Sequence, residues 1–165
     1  MTSIASVITN NYPKDKINSS IKKLHQELQW AEYDAAAIEK VKDKTSVTFF
    51  AILNNNIIGY VTASVKKIIK EPALYDDFQD YDDNKNYELF FLAVHPNHQR
   101  GGIGRKLIEN VFKEVKERGG NRISLLFHNT EKLNKFYSSL PYEKTIRDRG
   151  HYPNTFPRRE AIYTL

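Results

Sequence analysis

Glu88-Leu-Phe-Phe-Leu-Ala-Val94, then His95-Pro96-Asn97-His98, then Gln99-Arg100-Gly101-Gly102-Ile103-Gly104-Arg105: this stretch changes character twice. The first block is a nearly continuous apolar run, the pattern of a central strand buried on both faces, and Pro96 ends it. From Ile103 the period becomes helical. Ile103, Leu107, Val111 and Val115 form one stripe with Ile108 and Phe112 beside it, which predicts a long helix to about Arg118, stopped by Gly119-Gly120. Between strand and helix lies a glycine-rich turn flanked by arginines. A helix start offers N–H groups without helical partners and the positive end of the macrodipole, and glycines let a bulky anion approach that backbone. Arg100 and Arg105 add charge suited to phosphate oxygens. The stretch therefore reads as a phosphate cradle, with a tight turn carrying capping glycines as the plain alternative. It is not a P-loop, because Gly-x-x-x-x-Gly-Lys-Ser/Thr does not fit. Nor is it a dinucleotide fingerprint, because Leu107 stands where a third glycine is needed.

Upstream, residues 3–9 read as a short strand and Asn10–Lys14 as its break. Ile17, Ile21, Leu24 and Leu28 predict a first helix from about Asp15, and Ala31–Asp43 a second, weaker one. Residues 46–53 and 57–69 are rich in β-formers and flank Asn54-Asn55-Asn56, which predicts a hairpin, since asparagine tolerates the left-handed conformation. The stretch 70–86 carries Glu71, Asp76, Asp77, Asp80, Asp82 and Asp83 among Tyr75, Phe78 and Tyr81. It reads as a solvated acidic connection or, more sharply, as a flap that attracts a cationic substrate. Downstream come a strand over Arg122–Phe127, a short helix over Thr130–Leu140 and two last strands, the final one from Glu160 to Leu165.

The chain has 165 residues, 40% apolar and 27% charged, which fits one soluble domain, residues 1–165, and excludes a wholly disordered chain. No apolar run approaches the length of a membrane span, and Met-Thr-Ser-Ile has neither the basic start nor the apolar core of a signal peptide, so a cytoplasmic protein with no membrane partner is expected. With no cysteine and five scattered histidines, disulfides, cysteine nucleophiles and a metal centre are all unexpected. The net charge of +5 suits a polyanion of some kind. A nucleic-acid partner is not expected, because Lys and Arg are spread along the whole chain and no recognition motif is present.

The segment Gln99-Arg100-Gly101-Gly102-Ile103-Gly104 resembles the Gln/Arg-x-x-Gly-x-Gly/Ala signature of the GCN5-related N-acetyltransferase (GNAT) family. Its surroundings are similar too, with His95-Pro96 before it and Phe136-Tyr137-Ser-Ser-Leu-Pro-Tyr142 where a Phe-Tyr-x-x-Leu-Gly-Phe-like stretch is usual. The similarity is clear from about Asn86 to Glu143. It implies an α/β (α+β) fold: a central mixed, mostly antiparallel sheet splayed between the fourth and fifth strands, with helices on both faces. It also implies acetyl-coenzyme A as co-substrate, lying between the strands that end at Val94 and Phe127. Leu92, Ala93 and Val94 would meet the pantetheine arm, and Gln99, Arg100, Gly101, Gly102, Ile103, Gly104 and Arg105 the pyrophosphate, with Asn129 or Asn134 touching the arm from the following helix. Pro141 departs from the usual glycine and Leu133 from a common alanine.

Acetyl transfer to an amine needs a base, because the amine is mostly protonated near neutrality. Glu88 is the candidate, matching a family glutamate, and burial on its strand would raise its pKa. Tyr137 matches the family tyrosine that protonates the leaving thiolate. The backbone N–H near Val94 would polarise the thioester carbonyl. His95, His98 and His128, next to turns, read as structural. The expected function is direct transfer from acetyl-coenzyme A to a primary amine of a small molecule or peptide, the alternative being a non-catalytic acyl-coenzyme A sensor. Cues to the acceptor conflict: the acidic stretch favours a cationic amine, while Tyr152, Phe156, Arg158 and Arg159 favour an acidic one. The family resemblance also implies a homodimer as a candidate assembly.

Overall fold

The computed structural model describes residues 6–66, 85–150 and 157–165. Short β1 (Val7–Thr9) leads into α1 (Lys14–Leu28), and a 3-10 turn (Ala31–Tyr33) into α2 (Asp34–Lys42). There follow β2 (Val47–Leu53), β3 (Asn56–Val65), β4 (Asn86–Val94), a 3-10 turn (Pro96–His98), α3 (Ile103–Glu117), β5 (Arg122–His128), α4 (Glu131–Ser139), β6 (Glu143–Asp148) and β7 (Arg158–Thr164). The strands lie in the order β1-β2-β3-β4-β5-β7-β6. The β4–β5 ladder is parallel; β1–β2, β2–β3, β5–β7 and β6–β7 are antiparallel, giving the mixed, mostly antiparallel sheet that the sequence implied.

The chain forms two compact units, Met1–Ser64 with Leu89–Glu114, and Val65–Glu88 with Val115–Leu165. In the first, the apolar stripe of α1 buries Ile21 and Leu24 against Phe50, Ile57, Tyr60 and Ala93. The β2–β3 hairpin turns at Asn54 (φ 51°) and Asn55 (φ 64°), two left-handed residues in succession, as the asparagine run requires. Within α3, Ile103 and Leu107 approach β3 at Gly59, where an added Cβ would stand 2.8 Å from the Ala93 carbonyl oxygen. Only a residue without a side chain lets β3 and that carbonyl lie so close.

In the second unit, β7 pairs along β5 from Arg122↔Thr164 to His128↔Arg158 and along β6 from Glu143↔Thr164 to Asp148↔Arg159. Glu160 is buried and receives Arg147, whose Nε donates to Oε1 at 2.9 Å. A buried carboxylate held by a guanidinium is satisfied; alone it would be costly.

Some boundaries differ from the sequence reading. Residues 31–33 form a 3-10 turn before α2 begins at Asp34, and β7 starts at Arg158 rather than Glu160 because pairing with β5 and β6 overrides local propensity. β4 is not buried on both faces throughout: Phe90, Phe91, Leu92 and Val94 are half-buried, and its ladder with β5 ends at Glu88↔Ser124. The acidic flap with Tyr75, Phe78 and Tyr81, and the aromatics Tyr152 and Phe156, lie outside the described residues.

Candidate active site

The turn that leads from β4 into α3 is built by four hydrogen bonds. The His95 N–H donates to the Ile58 carbonyl at 2.7 Å, extending the β3–β4 pairing one residue past the strand. By strand alternation, the N–H and C=O groups of Leu92 and Val94 then point to the opposite edge of β4, while those of Ala93 point with His95. The His95 imidazole Nδ1 accepts the Asn97 N–H at 3.1 Å, and the His98 N–H donates to the His95 carbonyl at 2.9 Å. Gln99 Nε2 donates to the Val94 carbonyl at 3.0 Å, fastening the turn to the strand it left.

The chain then passes through Arg100 (φ 68°) and Gly102 (φ 83°), both left-handed. The first helical bond runs from the Lys106 N–H to the Gly102 carbonyl, so the N–H groups of Ile103 and Gly104 have no helical carbonyl four residues back. A Cβ at Gly102 would meet nothing within 4 Å, and one at Gly101 only the His98 carbonyl at 3.8 Å. This is open space at the positive end of a helix, and it fits a pyrophosphate. Arg100 and Arg105 are exposed beside it. The Arg105 Nε lies 3.4 Å from Glu109 Oε1 with both side chains 45% exposed, a surface ion pair of small energy. Ile103 faces the core, so its contribution to the cradle is its backbone.

The second unit carries the remaining candidates. Glu88, the last residue of the β4–β5 ladder, is half-buried. Tyr137 on α4 is buried against Phe127, with ring centroids 4.7 Å apart, and its carbonyl accepts the Tyr163 hydroxyl at 2.7 Å. Burial pushes its phenol well above the ordinary 10.0, so the hydroxyl keeps its proton through the neutral range. Asn129 and Asn134 prove to be one unit rather than rivals. Asn134 Nδ2 donates to Asn129 Oδ1 and to the Thr130 carbonyl, both at 2.8 Å, and Asn134 Oδ1 accepts from Arg159 Nη1 at 2.7 Å. Asn134 is thus engaged at both ends of its amide, and the Asn129 side chain is engaged through its oxygen.

Two features were missed from the sequence. Gly59 had a signal, a lone glycine inside a strand-forming run. The triad in the first unit had none: His25 Nδ1 lies 2.9 Å from Asp34 Oδ1 and its Nε2 2.6 Å from the Tyr60 hydroxyl, in a core where His25 is fully buried. Among the described residues, no group of three or more His, Cys, Asp or Glu could hold a metal ion, and no helix is long and apolar enough to cross a membrane.

A family model described as acetyltransferase (GNAT) family matches residues 10–140. The chain is similar to the [ribosomal protein bS18]-alanine N-acetyltransferase of Escherichia coli (strain K12), 35% identical over 78 residues, 45% of this chain and 51% of that protein. Its Salmonella typhimurium counterpart is 32% identical over the same length and shares. The chain thus matches about half the length of these curated relatives (51%). Among solved structures, an aminoglycoside 6'-N-acetyltransferase complexed with coenzyme A superposes with a TM-score of 0.74 at 17% identity, over 96% of each chain. The ribosomal-protein-S18-alanine N-acetyltransferase from Escherichia coli gives 0.70 at 19% identity, over 97% of this chain and 94% of that one. At such identities the structural likeness speaks for the fold.

Proposed function

The chain belongs to the acetyltransferase (GNAT) family, and from that premise we propose that it is an N-acetyltransferase, moving the acetyl group of acetyl-coenzyme A directly to a primary amine of a small molecule or peptide. The observation that carries this reading is the start of α3, with N–H groups that have no helical carbonyl, open glycines and two exposed arginines. Similarity to enzymes named for a ribosomal-protein α-amine and for an aminoglycoside amine supports an amine acceptor. The family model runs across both compact units, which supports treating residues 1–165 as one N-acetyltransferase domain. A cytoplasmic location, where acetyl-coenzyme A is made available, goes with the proposal.

Acetyl-coenzyme A supplies an activated thioester. The turn 99–105 holds its pyrophosphate, and the outward edge of β4 at Leu92 and Val94, with the Asn129 amide, orients its arm. Glu88, directly or through water, takes a proton from the acceptor ammonium and leaves a nucleophilic amine. The amine attacks the thioester carbonyl, and the C–N bond forms as the C–S bond breaks. The Tyr137 hydroxyl gives a proton to the departing thiolate, and the surplus proton of the new amide nitrogen restores the phenol, directly or through water. No acyl-enzyme is needed, in keeping with a chain that has no cysteine.

The test is thiol release from acetyl-coenzyme A across a panel of polyamines, amino sugars, amino acids and short peptides. Turnover with one amine class is expected, slowed about 100-fold in kcat by Tyr137→Phe and lowered by Glu88→Gln, with coenzyme A binding retained in both. Binding without turnover on any amine would favour the acyl-coenzyme A sensor instead.

A further inference from the structure

We propose that His95 is a positioning residue for the cofactor: its imidazole caps the 3-10 turn and so sets where the N–H groups of α3 stand. The proposal rests on the cofactor reading above and adds a residue to it. The stretch between Val94 and Ile103 has to turn sharply while keeping one orientation, and three groups of His95 direct that turn. Its N–H ties the strand end to the Ile58 carbonyl at 2.7 Å, its carbonyl receives the His98 N–H at 2.9 Å, and its Nδ1 receives the Asn97 N–H at 3.1 Å. The two backbone bonds need no side chain; the third belongs to the side chain alone.

Nδ1 sits as many bonds from the backbone as the Oδ1 of asparagine, the usual acceptor for an N–H two residues on. It can accept only while it carries no proton, so the capping tautomer bears its hydrogen on Nε2. That nitrogen faces Glu27 Oε2 of α1 at 4.0 Å, a partner that favours the hydrogen there. Lys23 and Glu27 from α1 and His98 from the turn are the titratable groups lining the pocket that His95 borders, and the hairpin contributes Asn54 and Asn56. The imidazole is 22% exposed and its ring meets that of His98 at 5.5 Å between centroids, so His95→Asn, which keeps the acceptor, is the control for lost packing.

The experiment compares wild type, His95→Ala and His95→Asn by calorimetric binding of coenzyme A, by kcat at saturating acetyl-coenzyme A, and by hydrogen exchange of the Asn97 amide. Loss of a capping bond of this kind weakens coenzyme A binding about fivefold in His95→Ala, with saturated kcat unchanged and the Asn97 amide deprotected. His95→Asn restores both binding and protection. Unchanged binding in His95→Ala overturns the proposal, and so does equal weakening in both variants, which would mean that the imidazole itself touches the ligand. A drop in kcat at saturation without a change in binding overturns it as well. Wild type that fails to bind coenzyme A removes the cofactor reading and this proposal with it, a result that no behaviour of the variants can imitate.

Discussion

Two junctions in this molecule perform the same geometric task, feeding a strand into a helix, and they do it in opposite ways. At the β5–α4 junction, two residues suffice. The Thr130 side chain accepts the Leu133 N–H at 3.2 Å, a side-chain cap on the first turn of α4, and the Asn134 amide folds back on the Thr130 carbonyl. At the β4–α3 junction the turn is longer, its hydrogen bonds secure the loop, and the residue before the helix, Gly102, has no side chain to offer as a cap. The first junction carries a side-chain cap on the helix that bears Tyr137; at the second, the N–H groups of Ile103 and Gly104 have no helical carbonyl, and these are the donors proposed above for the pyrophosphate.

This contrast makes substitutions on the two helices fail differently. The largest effect is the roughly 100-fold loss of kcat expected for Tyr137→Phe on the capped helix; a parallel loss of coenzyme A affinity would break the division of labour. Next is Gly102→Val. Its Cβ has space, but the residue sits at φ 83°, where a β-branched side chain is strained, and the methyls would stand where the anion approaches. Coenzyme A binding should weaken about tenfold or more, and calorimetry showing wild-type affinity would mean that the open turn is not the phosphate site.

Thr130→Ala sharpens the contrast from the other side. Loss of the cap should cost about 1 kcal/mol, seen as a lowered thermal midpoint, with coenzyme A affinity unchanged. A change in affinity would mean that the cap also sets the position of Asn129 beside it. The smallest effect concerns His25, which belongs to neither junction. Burial holds its pKa below the ordinary 6.5, against the opposing pull of Asp34. The unfolded chain therefore takes up a proton that the native state refuses. The stability this neutral imidazole contributes is complete above 6.5 and declines as the pH falls from there toward the lowered value. Thermal melts across this range should show the decline; a flat profile would mean that the buried network accepts the proton.

Much of the fold was legible because its signals are local. The hairpin at Asn54-Asn55, the long helix from Ile103 and the glycine turn all follow from what neighbouring residues permit, and the structure has them where the sequence put them. The edges of elements were less legible: β7 begins two residues earlier than its apolar pattern suggests, because its partners β5 and β6 continue to pair. The pairing of Asn129 with Asn134 was illegible altogether, as was the bond from Arg159, far along the chain, to the Asn134 oxygen.

By itself, the sequence determined the order of strands and helices, the glycine-rich helix start and the family resemblance, since periodicity and left-handed turns are properties of adjacent residues. Only the tertiary structure decided which polar groups are already spent. Gln99 is committed to the Val94 carbonyl, Asn134 to Arg159, and His25 to a tyrosine 35 positions away, while the N–H groups of Ile103 and Gly104 keep no helical partner. The physical reason is that hydrogen-bond satisfaction is settled by distances across the fold. A donor's availability to a ligand depends on what the rest of the chain brings within about 3 Å of it.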